Sequence, residues 1–344
     1  MKKSALILVI TTVAIGLAAV GYWLFAQRQP APQPPPPVAA NDEGSAPLHP
    51  LMIDAIRART YASSPITVER EVGAFNGYTS QVVSYRSDGF KVFALKNTPS
   101  GPAPAAGWPV IILNHGYIPP QQYRTLGGDY QYWVEGFTRA GYVVLKPDYR
   151  GHGDSEGTPE GGHWSPNYAY DTLNLIASLK SHAGVDAKNI GLVGHSMGGM
   201  VVLRTIVATA DVKASAILAG VVASAPDLYS TWRRGNWSPP PGAVASTRQK
   251  IVDSFGEPNS NPDFWNKISS INYVKDISGS VQIHHGTADD TVPIAQSASL
   301  DAALSKASRP HEYFVYQGGD HQFNGTSGIA LQRMLALFNS QLKM

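Results

Sequence analysis

Apolar runs of strand length alternate along the chain with segments whose apolar residues recur at helical spacing. Runs at residues 109–113, 142–146, 190–193, 216–222, 281–285 and 312–316 predict strands, and two earlier strand-like runs occupy 66–71 and 78–96. Trp133, Val134 and Phe137 have helical spacing, and a closing amphipathic helix is predicted around 331–342. Strands that alternate with helices indicate an α/β fold with a mostly parallel sheet and helices on both faces.

The first 28 residues predict a membrane anchor. Residues 5–26 are uncharged and mostly aliphatic, and as a helix they would be about 33 Å long, enough to cross a hydrocarbon core of about 30 Å. A cleaved signal peptide usually has a shorter apolar region, so we expect an uncleaved, single-pass anchor, with a secretory signal as the alternative. Lys2 and Lys3, against the single Arg28, place the rest of the chain outside the cytoplasm.

Residues 29–47 read as a spacer between this anchor and a folded domain. They contain the run Pro34-Pro35-Pro36-Pro37 and further prolines, which favour extended polyproline geometry over helix or sheet. We therefore expect one catalytic domain at 48–344.

Charge and cysteine content exclude several classes of function. The formal net charge of the 344 residues is +2, and the chain has no cluster of lysine and arginine of the kind that binds nucleic acid. The chain has no cysteine, which rules out disulfides, a thiolate metal site and a cysteine nucleophile. We expect neither a metal nor an organic cofactor.

The motif most informative about function is Gly194-His195-Ser196-Met197-Gly198-Gly199. It follows the strand at 190–193 and precedes an apolar segment, 200–207, that reads as a buried helix. A strand, a tight Gly-x-Ser-x-Gly turn and a helix together are the context of a nucleophile elbow. Ser196 is therefore the candidate nucleophile.

A serine hydroxyl needs a general base, and the base needs an orienting acid. In this kind of fold the order along the chain is serine, acid, histidine. His321 follows the last strand at the carboxyl edge of the sheet, whereas His311 precedes that strand on the opposite edge, so His321 is the candidate base. Asp289 and Asp290 both follow the strand at 281–285, and local physics does not choose between them.

An oxyanion hole requires backbone N–H groups directed at the developing charge. Met197, the residue after the nucleophile, supplies one candidate N–H. The loop at 114–117, at the end of an early strand, supplies the second, which we assign to Tyr117.

These motifs resemble the catalytic domain of the prolyl oligopeptidase family of α/β-hydrolase serine peptidases. The resemblance covers the chain from about Tyr78 to the C-terminus and is carried by residues 148–157, 194–199, 262–273 and 285–293, with His321 after them. In that family the first aspartate of the pair is the triad acid, which implies Asp289. Peptide-cleaving members usually carry a propeller domain before the hydrolase, for which this chain has no room, and the loop at 114–117 equally resembles small esterases.

Residues 226–277 form an insertion before the acid-bearing strand. They form either a small cap, with Trp232 or Trp237 lining the substrate pocket, or an ordinary surface excursion.

The sequence as a whole predicts a serine hydrolase that acts through an acyl-enzyme. The family resemblance favours a peptidase of small or unstructured peptides, and a carboxylesterase on small acyl esters is the alternative. An acyltransferase and a non-catalytic, membrane-tethered binding domain are more distant alternatives.

Overall fold

The computed structural model describes residues 48–160, 162–230 and 243–343. A nine-stranded sheet forms the centre of this part of the chain. The strands are β1 Thr67–Phe75, β2 Tyr78–Ser87, β3 Phe90–Pro99, β4 Trp108–Asn114, β5 Val143–Pro147, β6 Val185–His195, β7 Val212–Leu218, β8 Ser280–Gly286 and β9 His311–Tyr316. The helices are α1 Ile53–Ala58, α2 Gln131–Arg139, α3 Asn167–Leu179, α4 Met197–Ile206, α5 Ala225–Ser230, α6 Ala243–Phe255, α7 Pro262–Lys267, α8 Ala295–Lys306 and α9 Ser327–Leu342, with a 3₁₀ helix at Ser270–Asp276.

The sheet has an antiparallel edge and a parallel remainder. Its strand order is β1-β2-β3-β5-β4-β6-β7-β8-β9. The pairs β1–β2, β2–β3 and β3–β5 are antiparallel. The remaining pairs, β5–β4, β4–β6, β6–β7, β7–β8 and β8–β9, are parallel. The carboxyl ends of β4, β6, β8 and β9 therefore meet at one edge, where ligand sites form in sheets of this type. The predicted α/β class is confirmed.

Both faces of the central strands are buried, whereas the edge strand β1 is mostly exposed. Along β4, Val110 and Ile112 belong to one apolar cluster, which also takes in side chains of α3, α4 and α8. The intervening Ile111 and Leu113 belong to a second cluster, which includes side chains of α2 and α9. Because successive side chains of a strand point to opposite faces, a strand covered on both sides must be apolar throughout. This explains the uninterrupted apolar run at 109–113.

The predicted strand at 216–222 is too long at its carboxyl end. β7 stops at Leu218, and Ala219 takes a left-handed backbone conformation with φ of 46°. Its N–H donates to the His284 carbonyl, and the Val221 N–H donates to the Ser196 carbonyl. The chain turns over the start of α4 instead of extending the ladder, although its residues remain apolar.

Between β7 and β8 the described residues form α5, α6, α7 and the 3₁₀ helix. Apolar side chains of α5, α6 and α7, among them Leu228, Phe264 and Trp265, form a separate cluster with residues from other parts of the domain. The buried Ile271 and Val274 of the 3₁₀ helix belong instead to the cluster on one face of the sheet. Trp232 and Trp237 lie outside the described residues, as do residues 1–47 with the predicted anchor and spacer. Within 48–160, 162–230 and 243–343, none of the helices has the length and apolar character needed to cross a membrane.

Candidate active site

Ser196 sits at the junction of β6 and α4 in a backbone conformation that is rare for a residue with a side chain. Its φ is 54° and its ψ is −118°. The flanking glycines leave no room for a Cβ, because one at Gly194 would lie 2.3 Å from the Gly198 carbonyl oxygen. One at Gly198 would lie 2.0 Å from the Asn114 carbonyl oxygen. The turn is therefore closed tightly against β4, and the serine occupies its strained tip.

His321 and Asp289 lie close together, although 32 residues separate them in the chain. The loop after β8 carries Asp289 and the loop after β9 carries His321. His321 Nδ1 is 2.8 Å from Asp289 Oδ2. An imidazole Nδ1–H that donates to a carboxylate leaves Nε2 without a proton, which is the form a general base requires.

The Asp289 carboxylate is fully buried and receives several hydrogen bonds. Oδ1 accepts the N–H groups of Thr291 and Val292, each at 2.8 Å. Burial acts to raise the pKa of this carboxyl group. The hydrogen bonds from His285, His321 and the Val292 N–H outweigh burial, and the pKa lies below the ordinary value of 3.8. Asp289 is therefore ionised at neutral pH.

His285 is a second histidine on the same carboxylate, and the sequence assigned it no role. Its Nε2 lies 3.1 Å from Asp289 Oδ2 and 2.9 Å from the Val292 carbonyl oxygen. Its Nδ1 lies 2.7 Å from Ser297 Oγ on α8. Since the carbonyl accepts only, Nε2 carries the proton, and His285 anchors the acid loop to β8.

The loop after β4 brings Tyr117 to the start of α4. The Gly116 N–H donates to Tyr130 Oη at 2.7 Å, so this N–H already has a hydrogen-bond acceptor within the protein. Tyr117 packs against the cluster that contains Met197, the first residue of α4. Tyr117 therefore borders the cluster formed at the start of α4, and the assignment of the Tyr117 and Met197 N–H groups to the oxyanion hole stays a prediction.

Buried polar groups brace this loop and the loop after β5. The His115 ring stacks on Tyr123 with centroids 4.6 Å apart, and Tyr123 Oη donates to Asp148 at 2.8 Å. Burial raises the pKa of Asp148 to about 6, although Lys146 acts in the opposite direction. Arg150, at the turn after β5, forms ion pairs with Asp171 at 2.6 Å and Asp88 at 2.9 Å.

A small, partly open cleft lies between α4 and the helices that follow β7. Its lining combines apolar side chains, among them Met200, Val221 and Leu228, with polar ones such as Ser269. The Val221 N–H bonds to the Ser196 carbonyl, so this wall adjoins the nucleophile elbow. The buried Arg204 also lines the cleft, and its guanidinium donates to the Ser165 carbonyl at 2.7 Å.

The comparison with known families settles the class of protein. A family model described as the prolyl oligopeptidase family matches residues 129–344, which include Ser196, Asp289 and His321. The chain belongs to the prolyl oligopeptidase family. The resemblance inferred from the motifs is confirmed, and the protein is an α/β-hydrolase-type serine hydrolase.

Proteins similar to this chain include some named as peptidases and some named as esterases. "Uncharacterized peptidase YtmA" of Bacillus subtilis is 23% identical over 256 residues, covering 74% of this chain and 90% of that protein. A puromycin-hydrolyzing peptidase of Mycobacterium tuberculosis superposes with a TM-score of 0.59 and 21% identity. That match covers 77% of this chain and 40% of the peptidase. This chain therefore spans less than half of the peptidase's length.

The acetyl xylan esterase of Paenibacillus sp. R4 superposes with a TM-score of 0.64 and 16% identity, covering 83% of this chain and 91% of the esterase. At such identities the two superpositions show the shared fold only.

Proposed function

We propose that Ser196, His321 and Asp289 form a catalytic triad for acyl transfer to water. Ser196 Oγ attacks a carbonyl carbon while His321 Nε2 takes its proton, and the Met197 and Tyr117 N–H groups hold the tetrahedral oxyanion. His321 then returns the proton to the leaving group, and water releases the acyl group by the reverse steps. The observation that carries this proposal is the 2.8 Å bond between His321 Nδ1 and the buried Asp289 carboxylate.

The substrate class that we favour is a small or unstructured peptide. The family membership supports this choice, as do the relatives named as peptidases. Amide cleavage asks more of His321 than ester cleavage does, because an amine leaves only after it has been protonated.

A carboxylesterase on small acyl esters is the second candidate, and one observation favours it. The match to the acetyl xylan esterase covers 91% of the esterase, whereas the match to the puromycin-hydrolyzing peptidase covers 40% of the peptidase.

Two measurements on the full-length protein test these proposals. A fluorophosphonate probe should label the wild type and leave Ser196→Ala unlabelled, and a folded wild type without labelling would refute the triad. Initial rates on short acyl p-nitrophenyl esters are then compared with rates on proline- and alanine-containing peptide amides. Ester turnover with no amide turnover across a broad panel would refute the peptidase and leave the esterase.

The sequence further supports a proposal about how the domain is held and covered. We propose that residues 1–28 anchor the protein, that 29–47 act as a spacer, and that the hydrolase at 48–344 faces the periplasm or the exterior. We also propose that 226–277 act as a small cap, with Trp232 and Trp237 contributing to substrate binding.

A further inference from the structure

A series of hydrogen bonds joins three segments of the active site through the side chains of Tyr130 and His195. The Gly116 N–H donates to Tyr130 Oη at 2.7 Å, and Tyr130 Oη lies 2.8 Å from His195 Nδ1. On the far side of the ring, His195 Nε2 lies 2.8 Å from the His321 carbonyl oxygen. These three hydrogen bonds thus connect the loop after β4, the residue before the nucleophile and the backbone of the proposed base.

Each hydrogen bond in this series has only one possible direction. The His321 carbonyl oxygen only accepts, so His195 Nε2 must carry a proton. Burial is the main reason that the pKa of His195 falls from 6.5 to about 4, which keeps the ring neutral at pH 7 and leaves Nδ1 without a proton. Tyr130 therefore donates to Nδ1, and its oxygen accepts from Gly116.

The same ring packs against the base that it bonds. The His195 and His321 rings lie 4.7 Å apart between centroids. Asp289 fixes the imidazole of His321 from one side, and His195 fixes its backbone carbonyl from the other. The base is held at two points, and one of them is the residue joined covalently to Ser196.

The loop after β4 also lies close to these hydrogen-bonded side chains. A Cβ added to Gly116 would lie 2.8 Å from Tyr130 Oη, 3.3 Å from His195 Nδ1 and 3.2 Å from Ser196 Cβ. A shift of the Tyr130 hydroxyl would therefore move both the loop that carries Tyr117 and the His195 ring, which binds the backbone carbonyl of His321.

We propose that Tyr130 and His195 are positioning residues. They hold the loop that carries Tyr117, the nucleophile Ser196 and the base His321 in the relative positions that the reaction requires. This inference rests on the triad proposed above and extends it to two residues that do not touch the reacting atoms. It predicts a loss in the chemical step and little change in substrate binding, because a displacement of about 1 Å among reacting groups costs up to about 100-fold in rate.

The substitution Tyr130→Phe removes only the hydroxyl group and tests the proposal directly. We expect kcat to fall about 10- to 100-fold with KM within about twofold of wild type. Rates are expressed per site titrated with the fluorophosphonate, so an unfolded fraction does not count. The matched control is Tyr132→Phe, since Tyr132 is 51% exposed two positions away, and this variant should keep wild-type kcat.

Two substitutions of His195 separate positioning from bulk packing. His195→Gln keeps an acceptor for Tyr130 and an N–H donor for the His321 carbonyl, and it should stay within about fivefold of wild-type kcat. His195→Leu fills the space without either hydrogen bond and should lose as much as Tyr130→Phe. If Tyr130→Phe keeps wild-type kcat, or if His195→Gln is as slow as His195→Leu, the proposal is wrong.

The failure of this inference is distinguishable from failure of the triad. A wild type that the probe does not label refutes the triad, whatever the Tyr130 variant does. A labelled wild type whose Ser196→Ala variant is inert, together with an unimpaired Tyr130→Phe, refutes only the positioning role.

Discussion

At the scale of single residues, two adjacent aspartates have opposite surroundings. The Asp289 side chain is buried and bonded to His321, His285 and two backbone N–H groups. Asp290 is exposed and contacts the Thr291 hydroxyl. Only the first carboxylate is placed to hold an imidazole in one tautomer.

We therefore expect Asp289→Asn to lower kcat by about 10³- to 10⁴-fold. The amide oxygen satisfies the Thr291 and Val292 N–H groups, so its NH₂ faces His321 Nδ1 and forces the proton onto Nε2. That tautomer cannot accept the proton of Ser196. Steady-state rates on an activated ester measure the loss, with Asp290→Asn as the control at wild-type rate. A larger loss in Asp290→Asn would transfer the role of acid to that residue.

The sequence predicted Ser196, His321 and Asp289 as a triad, but it did not mark Tyr130 or His285, which hold the surrounding loops. Ser196 and His321 follow from a motif and from chain order, and family resemblance selected Asp289 from its pair. Tyr130 and His285 act through hydrogen bonds that form only in the folded chain. Since tyrosine and histidine are ordinary core residues, nothing in the spacing marks these two, and the acceptors of His195 and His285 are backbone carbonyls that no side-chain pattern reveals.

At the scale of elements, the elbow depends on a close contact between α4 and the end of β4. We expect Gly198→Ala to destabilise the protein by about 3 kcal/mol, the upper end of the usual cost of overpacking, because its Cβ would meet the Asn114 backbone oxygen at 2.0 Å. Denaturant unfolding measures the loss. Gly128→Ala is the matched control, since a Cβ there meets nothing within 4 Å. Equal stabilities of the two variants would show that β4 and α4 are not held in this contact.

The elements themselves were predictable where burial is complete. β4 and β5 are apolar because both faces of the central sheet are covered, and their strands lie where the runs do. The end of β7 was not predictable, because residues 219–222 stay apolar while the backbone turns to cover Ser196. Hydrophobicity reports burial, and it does not report whether a buried residue is paired in a ladder.

At the scale of the whole molecule, the parallel half of the sheet makes the site. β4, β6, β8 and β9 end at one edge, so the loop with Tyr117, the elbow, the acid and the base converge there from distant parts of the chain. The hydrogen bonds through Tyr130 and His195 then join three of these four segments. Topology brings the segments together, and the buried polar network sets their final alignment.

The last prediction concerns where this molecule works. Residues 5–26 are uncharged and long enough to span a bilayer, and the lysines before them favour a cytoplasmic N-terminus. We expect the full-length protein to sediment with membranes, to resist extraction by high salt and to dissolve in detergent, with fluorophosphonate labelling on the extracytoplasmic side. A chain that begins at Leu48 keeps the buried Leu51, Ile53 and Ile56 and should be recovered in the supernatant. If the full-length protein is instead soluble with a new N-terminus beyond Ala19, the segment is a cleaved secretory signal.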